Sequence, residues 1–189
     1  MPEKLRLPAL LAALLALGGG CSLSYEEARV AEDIAAEIPD TVMTRFTHTV
    51  VADGRVWVKL SAERAEGYDK AKRIVLTGVR FEEYDSQGRL ATEARADRAV
   101  YHTDSENAEV EGNILIRVPQ EKASLAAASL SWVKEGRRLS GGAGQSVRIA
   151  RENGSFVEGR GFRADFRRRR LEFAEGAGGS YVEDESAAR

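Results

Sequence analysis

Apolar and polar residues alternate with period two from Thr41 almost to the end of the chain, and only the first forty residues follow other rules. The alternating runs cover Thr41–Val51, Arg55–Arg64, Arg73–Tyr84, Arg89–Tyr101, Ala108–Val118, Ala123–Val133, Arg138–Arg151, Ser155–Asp165 and Leu171–Ala174. Turn signals such as Asp53-Gly54 and Ser86-Gln87-Gly88 separate them, roughly every ten to fourteen residues. That spacing leaves no room for helices between strands. It predicts one all-β unit, an elongated, twisted antiparallel sandwich built from repeated hairpins. Upstream, Tyr25, Ala28, Ala31, Ile34, Ala35 and Ile38 recur at helical spacing until Pro39, which predicts a short helical tether over Ser22–Asp40.

A weak repeat underlies the alternation. Gly54-x-x-Trp57-x-x-Leu60-x-Ala62-x-x-Ala65 matches Gly88-x-x-Ala91-x-x-Ala94-x-Ala96-x-x-Ala99 at an offset of 34 residues, each copy followed by a tyrosine (Tyr68, Tyr101). Two further offsets connect Ala96-Asp97 to Ala164-Asp165, with Ala128-Ser129-Leu130 between them. A pair of strands cannot bury its apolar face alone, so stacked copies build one elongated body. Inward alanine and glycine let two sheets approach closely or leave an opening that leucine would plug.

The first twenty residues are of another kind. A small basic start, Met1 to Arg6, precedes an apolar stretch from Leu7 to Leu17, then Gly18-Gly19-Gly20-Cys21. These are the parts of a secretory signal, and the apolar part is about half the ~20 residues needed to span a bilayer. The arrangement resembles a bacterial lipoprotein signal, with Cys21 as the lipidated new N-terminus, although Gly18 stands where such signals usually carry leucine. The expected organisation is a signal over 1–20, a lipidated N-terminus and tether over 21–40, a β domain over 41–179, and a disordered tail over 180–189.

Composition narrows the function classes. Removal of the signal leaves 169 of 189 residues, enough for one well-cored domain. The single cysteine excludes an intramolecular disulfide and a C-x-x-C redox site. With 28 basic and 30 acidic side chains well mixed, nucleic acid is not expected as a partner. Neither histidine, His48 or His102, has a metal-binding or catalytic neighbour in the sequence. Gly141-Gly142-Ala143-Gly144 lacks the Lys-Ser/Thr and helix of a phosphate loop and reads as a bulged or close-packed strand. Neither an enzyme nor a cofactor is expected.

Apolar strand positions carry more information. Val58, Leu60, Val79, Phe81, Ile114, Ile116, Leu130, Trp132, Val147, Ile149, Phe162, Phe166, Leu171 and Phe173 could line one space between two sheets. That space could be a filled core or a lipid groove, since both use these residue types. Arg167-Arg168-Arg169-Arg170, at an expected hairpin turn, is either a solvated turn or a contact for anionic headgroups.

Three blocks carry a family resemblance: Leu76-Thr77-Gly78-Val79-Arg80-Phe81-x-x-Tyr84, Glu111-Gly112-Asn113-Ile114, and Gly159-Arg160-Gly161-Phe162-Arg163-Ala164-Asp165 through Leu171-Glu172-Phe173. Together with the tether ending Ile38-Pro39-Asp40, they resemble the LptC family of lipopolysaccharide export proteins, over roughly Ile38 to Gly179. The resemblance implies an LptA-like β-jellyroll in the periplasm, anchored to a membrane through its lipid; function in the family argues for the inner membrane. Such a domain accepts lipopolysaccharide or a similar glycolipid from an LptB2FG-type ABC transporter and passes it to an LptA-type bridge protein. On that basis Val58, Leu60, Val79, Phe81, Ile114, Ile116, Leu130, Trp132, Phe162 and Phe166 are candidate lipid contacts. Phe46 on the first strand, and Leu171 and Phe173 on the last, are candidate docking residues. Family members usually keep an N-terminal transmembrane helix, which Cys21 here would replace, and commonly turn on glycine where this chain has four arginines. The rival reading is a structural or adhesive β-repeat lipoprotein with a filled core and no ligand.

Overall fold

A computed structural model of the chain describes residues 37–183. The expected lipidation site Cys21 and all but the end of the expected tether lie outside the described residues. At that end Asp40 is tied to the following domain: its amide donates to the Gly67 carbonyl (2.8 Å), and its carboxylate accepts from the Asp69 amide (2.8 Å).

Among the described residues twelve strands make one antiparallel sheet. The first six form a meander of long strands: β1 (Thr41–Ala52), β2 (Arg55–Tyr68), β3 (Arg73–Tyr84), β4 (Leu90–His102), β5 (Ala108–Val118) and β6 (Ala123–Val133). Short strands follow: β7 (Arg138–Gly141), β8 (Ser146–Arg151), β9 (Phe156–Arg160), β10 (Phe162–Asp165), β11 (Arg170–Phe173) and β12 (Ala177–Ser180). The sheet forks at β6. Its first half, Ala123–Ala127, pairs with β8, and that branch continues through β9 to β12. Its second half, Leu130–Val133, pairs with β7, and that branch continues through β10 to β11.

Two departures from the expected strand boundaries come from this fork. Arg138–Arg151 is two strands because Gly141–Gln145 crosses between branches, so the glycine run is a corner rather than a bulged strand. A Cβ on Gly141 would lie 2.9 Å from the Val147 side chain, and one on Gly142 would collide with Ser129. Ser155–Asp165 likewise breaks at Gly161 (φ +66°), where the chain crosses back. Phe166 falls in a turn rather than a strand. The last strand, β12, was not expected, and hydrogen bonds continue past it. The Val182 amide donates to Ser155 Oγ (2.9 Å), and its carbonyl accepts from Asn153 Nδ2 (3.1 Å).

The long strands are bent in the middle. Left-handed residues sit at Arg45 in β1 (φ 53°), Gly78 in β3 (φ 64°), and Gly112 and Asn113 in β5 (φ 76° and 47°). Their neighbours across the ladder are the middle residues of β2, β4 and β6. A Cβ on Gly78 would lie 2.6 Å from the Glu63 side chain, and one on Gly112 would lie 2.7 Å from Asp97 Cβ. Asn113 Nδ2 donates to Asp97 Oδ2 (2.7 Å), and pairing lapses between Arg95 and Arg98 and between Glu111 and Ile114. Such irregularities bend a strand and sharpen its twist. Aligned across neighbouring strands they form a fold line, and the single sheet closes over itself as two layers.

The core lies along this line. One cluster holds Ala62, Ala65, Leu76, Val79 and Ala99; the other holds Ala96, Ile114, Leu130, Val147, Phe162 and Ala164. Ala62, Ala96, Leu130 and Ala164, spaced by 34 residues, are all buried, so the sequence repeat marks inward-facing positions. Gly112→Ala should lower the unfolding free energy by about 2–3 kcal/mol, combining the left-handed penalty with the clash against Asp97. Gly54→Ala, also left-handed (φ +73°) but with open space around its Cβ, should cost about 1 kcal/mol. Urea denaturation of the two variants separates the terms.

The β3–β4 turn is held by one carboxylate. Asp85 accepts from the amides of Gln87 and Arg89 (2.9 Å each) and pairs with Arg89 Nε (2.8 Å). These contacts, the Arg89 backbone bond foremost, hold its pKa at about 2. A lowered folded pKa means that the stabilisation is complete above the ordinary carboxylate value and disappears as pH falls through about 2. Carboxyl NMR of Asp85 should titrate at that midpoint, with loss of protection at the Gln87 and Arg89 amides.

Candidate functional site

On one side of the fold line, cross-strand pairing aligns Leu60, Phe81, Ala94, Ile116, Leu125, Ile149 and Val157 in a continuous row from β2 to β9. On the other side it aligns Ile74, Tyr101, Ala108, Trp132, Leu139, Ala164 and Leu171 from β3 to β11. Strand side chains alternate between faces, so each row presents one apolar surface. Toward β11 the two surfaces do not meet. A cavity of about 620 Å³ lies between them, lined by Ile116, Leu125 and Ile149 from the first row and by Leu139, Ala164 and Leu171 from the second, with Phe162 also in its wall. Phe166 and Leu171, 53% and 51% exposed, stand at its mouth beside Arg169, Arg170, Glu83 and Asp165.

Aromatic contacts stiffen this end. Trp132 meets Phe166 edge-on with centroids 5.8 Å apart, and Phe162 lies 5.6 Å from Phe173. The arginine turn is partly neutralised: Arg170 pairs with Glu172 (2.8 Å), and the Arg168 amide donates to Asp165 Oδ1 (2.9 Å). Arg167 and Arg169 have no ion pair among the described residues. Arg169 is left-handed (φ 50°), a conformation that costs a non-glycine residue about 1–2 kcal/mol. The β6–β7 turn adds Arg137 and Arg138 alongside, with the Phe166 amide donating to the Arg137 carbonyl (3.0 Å).

The candidate residues divide by position. Ile116, Phe162 and Phe166 line the cavity, and Trp132 packs on Phe166. Leu60 and Phe81 lie further along the first row, with Val58 two residues beyond Leu60. Val79, Ile114 and Leu130 are buried at the fold line and belong to the packed core. Phe46 packs onto the alanine-rich cluster from edge strand β1, while Leu171 and Phe173 sit on edge strand β11. The sequence reading missed Leu125, Leu139 and Arg138. Reflecting Trp132 through the turn at Glu135-Gly136 would have found Leu139, its direct cross-strand partner.

A protein-family model described as lipopolysaccharide-assembly, LptC-related, matches residues 9–182, nearly the whole chain. The chain belongs to the LptC family. Membership makes it a periplasmic envelope component involved in lipopolysaccharide transport, in a family that transports and binds rather than catalyses. No curated protein matches the chain. The open two-layer sheet is consistent with the jellyroll expected of LptC. Among the described residues no helix is long and apolar enough to cross a membrane.

Proposed function

We propose that this LptC protein is held at a membrane through lipidated Cys21, accepts lipopolysaccharide from the ABC transporter, and passes it to an LptA-type bridge jellyroll. The observation that carries the reading is the apolar cavity between the layers, open at the β11 end. Its volume falls within the ~300–1,000 Å³ usual for small-molecule sites. Exposing one acyl chain of about fourteen carbons to water costs roughly 11 kcal/mol, so a molecule with several chains needs shielding across an aqueous space. Shielding requires an apolar channel and no reaction, since the transporter supplies the work. The same space argues against the rival reading of a filled, ligand-free core.

Site-specific photo-crosslinking in cells is the test. A photoreactive residue at Ile116, Trp132 or Phe162 should capture lipopolysaccharide, and one at Phe81 should do so further along the row. Arg80 and Arg117, exposed on the outer face, should capture none. Equal labelling of both sets would exclude a lipid channel. The mass of the mature N-terminus decides the anchor: Cys21→Ser should release the protein into the soluble fraction, because a triacyl group exceeds what stable attachment needs.

A further inference from the structure

We propose that the β10–β11 turn is a phosphate-recognition site for the cargo, in which Arg169 and Arg170 hold headgroup phosphates at the cavity mouth while the acyl chains lie inside. The inference rests on the cargo reading above and adds the orientation of the bound lipid and the groups that select it. Three observations support it. Arg169 and Arg170 are the cations in the cavity wall, at the same end as exposed Phe166 and Leu171, so apolar and cationic surfaces meet at one opening. Arg169 has no carboxylate partner among the described residues, whereas Arg168 and Arg170 pair with Asp165 and Glu172. The neighbouring β6–β7 turn brings Arg137 and Arg138 to the same end, so basic groups outnumber Glu83, Asp165 and Glu172 there.

An amphiphile matches this surface when its anionic groups sit at the junction with its chains, as phosphates on an acylated sugar do. A guanidinium binds phosphate through two parallel N–H···O bonds, which fixes orientation as well as affinity. A bilayer surface would satisfy the arginines but leave the cavity behind them unused, so a single phosphorylated lipid is the favoured occupant.

The test compares binding of diphosphoryl lipid A and its fully dephosphorylated form, each in neutral detergent micelles, to the full-length protein. The wild type should prefer the diphosphoryl form at least about ten-fold, with the preference shrinking in high salt. Arg169→Gly together with Arg170→Gln should abolish the preference, lowering affinity for the diphosphoryl form at least about ten-fold more than for the dephosphorylated lipid, while Arg169→Lys with Arg170→Lys should keep part of it. Arg169→Gly relaxes the backbone at that position, so this single variant, expected to lose about half of the preference on a logarithmic scale, does not depend on tolerating damage to the fold. An unchanged preference in the variants, or no preference in the wild type, overturns the phosphate site while lipid binding stands. Binding of neither lipid by the wild type overturns the cargo reading and the site together. Arginine-dependent sedimentation with phosphatidylglycerol vesicles, without discrimination between the two lipids, would assign the turn to a membrane surface and overturn the proposal.

Discussion

Phe162→Ala should lower the unfolding free energy by about 3–5 kcal/mol and reduce lipopolysaccharide capture at Ile116, the larger stability effect of any single cavity-wall truncation. Phe162 is 2% exposed, the largest of the fully buried side chains, and faces Phe173 with its ring. It fills the corner where β7 gives way to β8: a Cβ on Gly141 would lie 3.3 Å from Phe162 Cβ and 2.9 Å from Val147. Its loss therefore removes packing between the branches as well as part of the cavity wall. The ladders on both sides of β10 limit collapse into the space, which places the cost toward the upper end. Phe166→Ala is the comparison. That ring is half exposed, so its removal should cost under about 1 kcal/mol and alter binding alone. Urea denaturation of the two variants gives the contrast.

Leu171→Pro should weaken binding of the bridge jellyroll about 100-fold without unfolding the domain. The phase of the β10–β11 ladder decides this. The Ala174 amide donates to the Gly161 carbonyl (3.1 Å), so Gly161 and Ala174 form a hydrogen-bonded pair. In an antiparallel ladder such pairs alternate, which makes Arg163–Glu172 hydrogen-bonded and Ala164–Leu171 and Phe162–Phe173 not. The N–H groups of Leu171 and Phe173 consequently point away from β10, toward the free edge. Proline at Leu171 removes an outward donor that an added strand would use, a loss of about 3 kcal/mol or near two orders of magnitude in affinity. Proline at Glu172 removes an inward donor and should instead detach β11. Pulldown titration alongside circular dichroism distinguishes the two, and full binding by a folded Leu171→Pro protein would place the docking edge elsewhere.

Alternation and turn residues made the first six strands legible in the sequence, because each follows a hairpin whose register the turn dictates. The 34-residue spacing marked buried positions for the same reason: Ala62, Ala96, Leu130 and Ala164 all face inward on their strands. The fork was not legible. Arg138–Arg151 alternates throughout, and only pairing with both halves of β6 turns Gly141–Gln145 into a corner. Strand β12 was missed because Ala177-Gly178-Gly179-Ser180 offers no apolar alternation and pairs with β9 through backbone alone. Apolar periodicity selected Ile116 and Phe162 along with Ile114 and Leu130, since lining a cavity and filling a core need the same side chains. What separates them is distance from the fold line, a property of register that no local pattern contains.

The sheet begins with one edge and ends with two. At the start stands β1, twelve residues long and kinked at Arg45; at the finish stand β11 and β12, four residues each, one on either layer. An end of this kind does not match a copy of itself, whereas a single long strand kinked at its middle could extend both layers at once. Contacts between unlike ends of one architecture do not close into rings unless the rotation happens to permit it; they propagate as an open row. In such a row every member faces the same way and the apolar spaces line up mouth to tail. Directionality of the path would then be a property of connectivity, laid down when β6 divides its partners, and would hold in the absence of any gradient along the row.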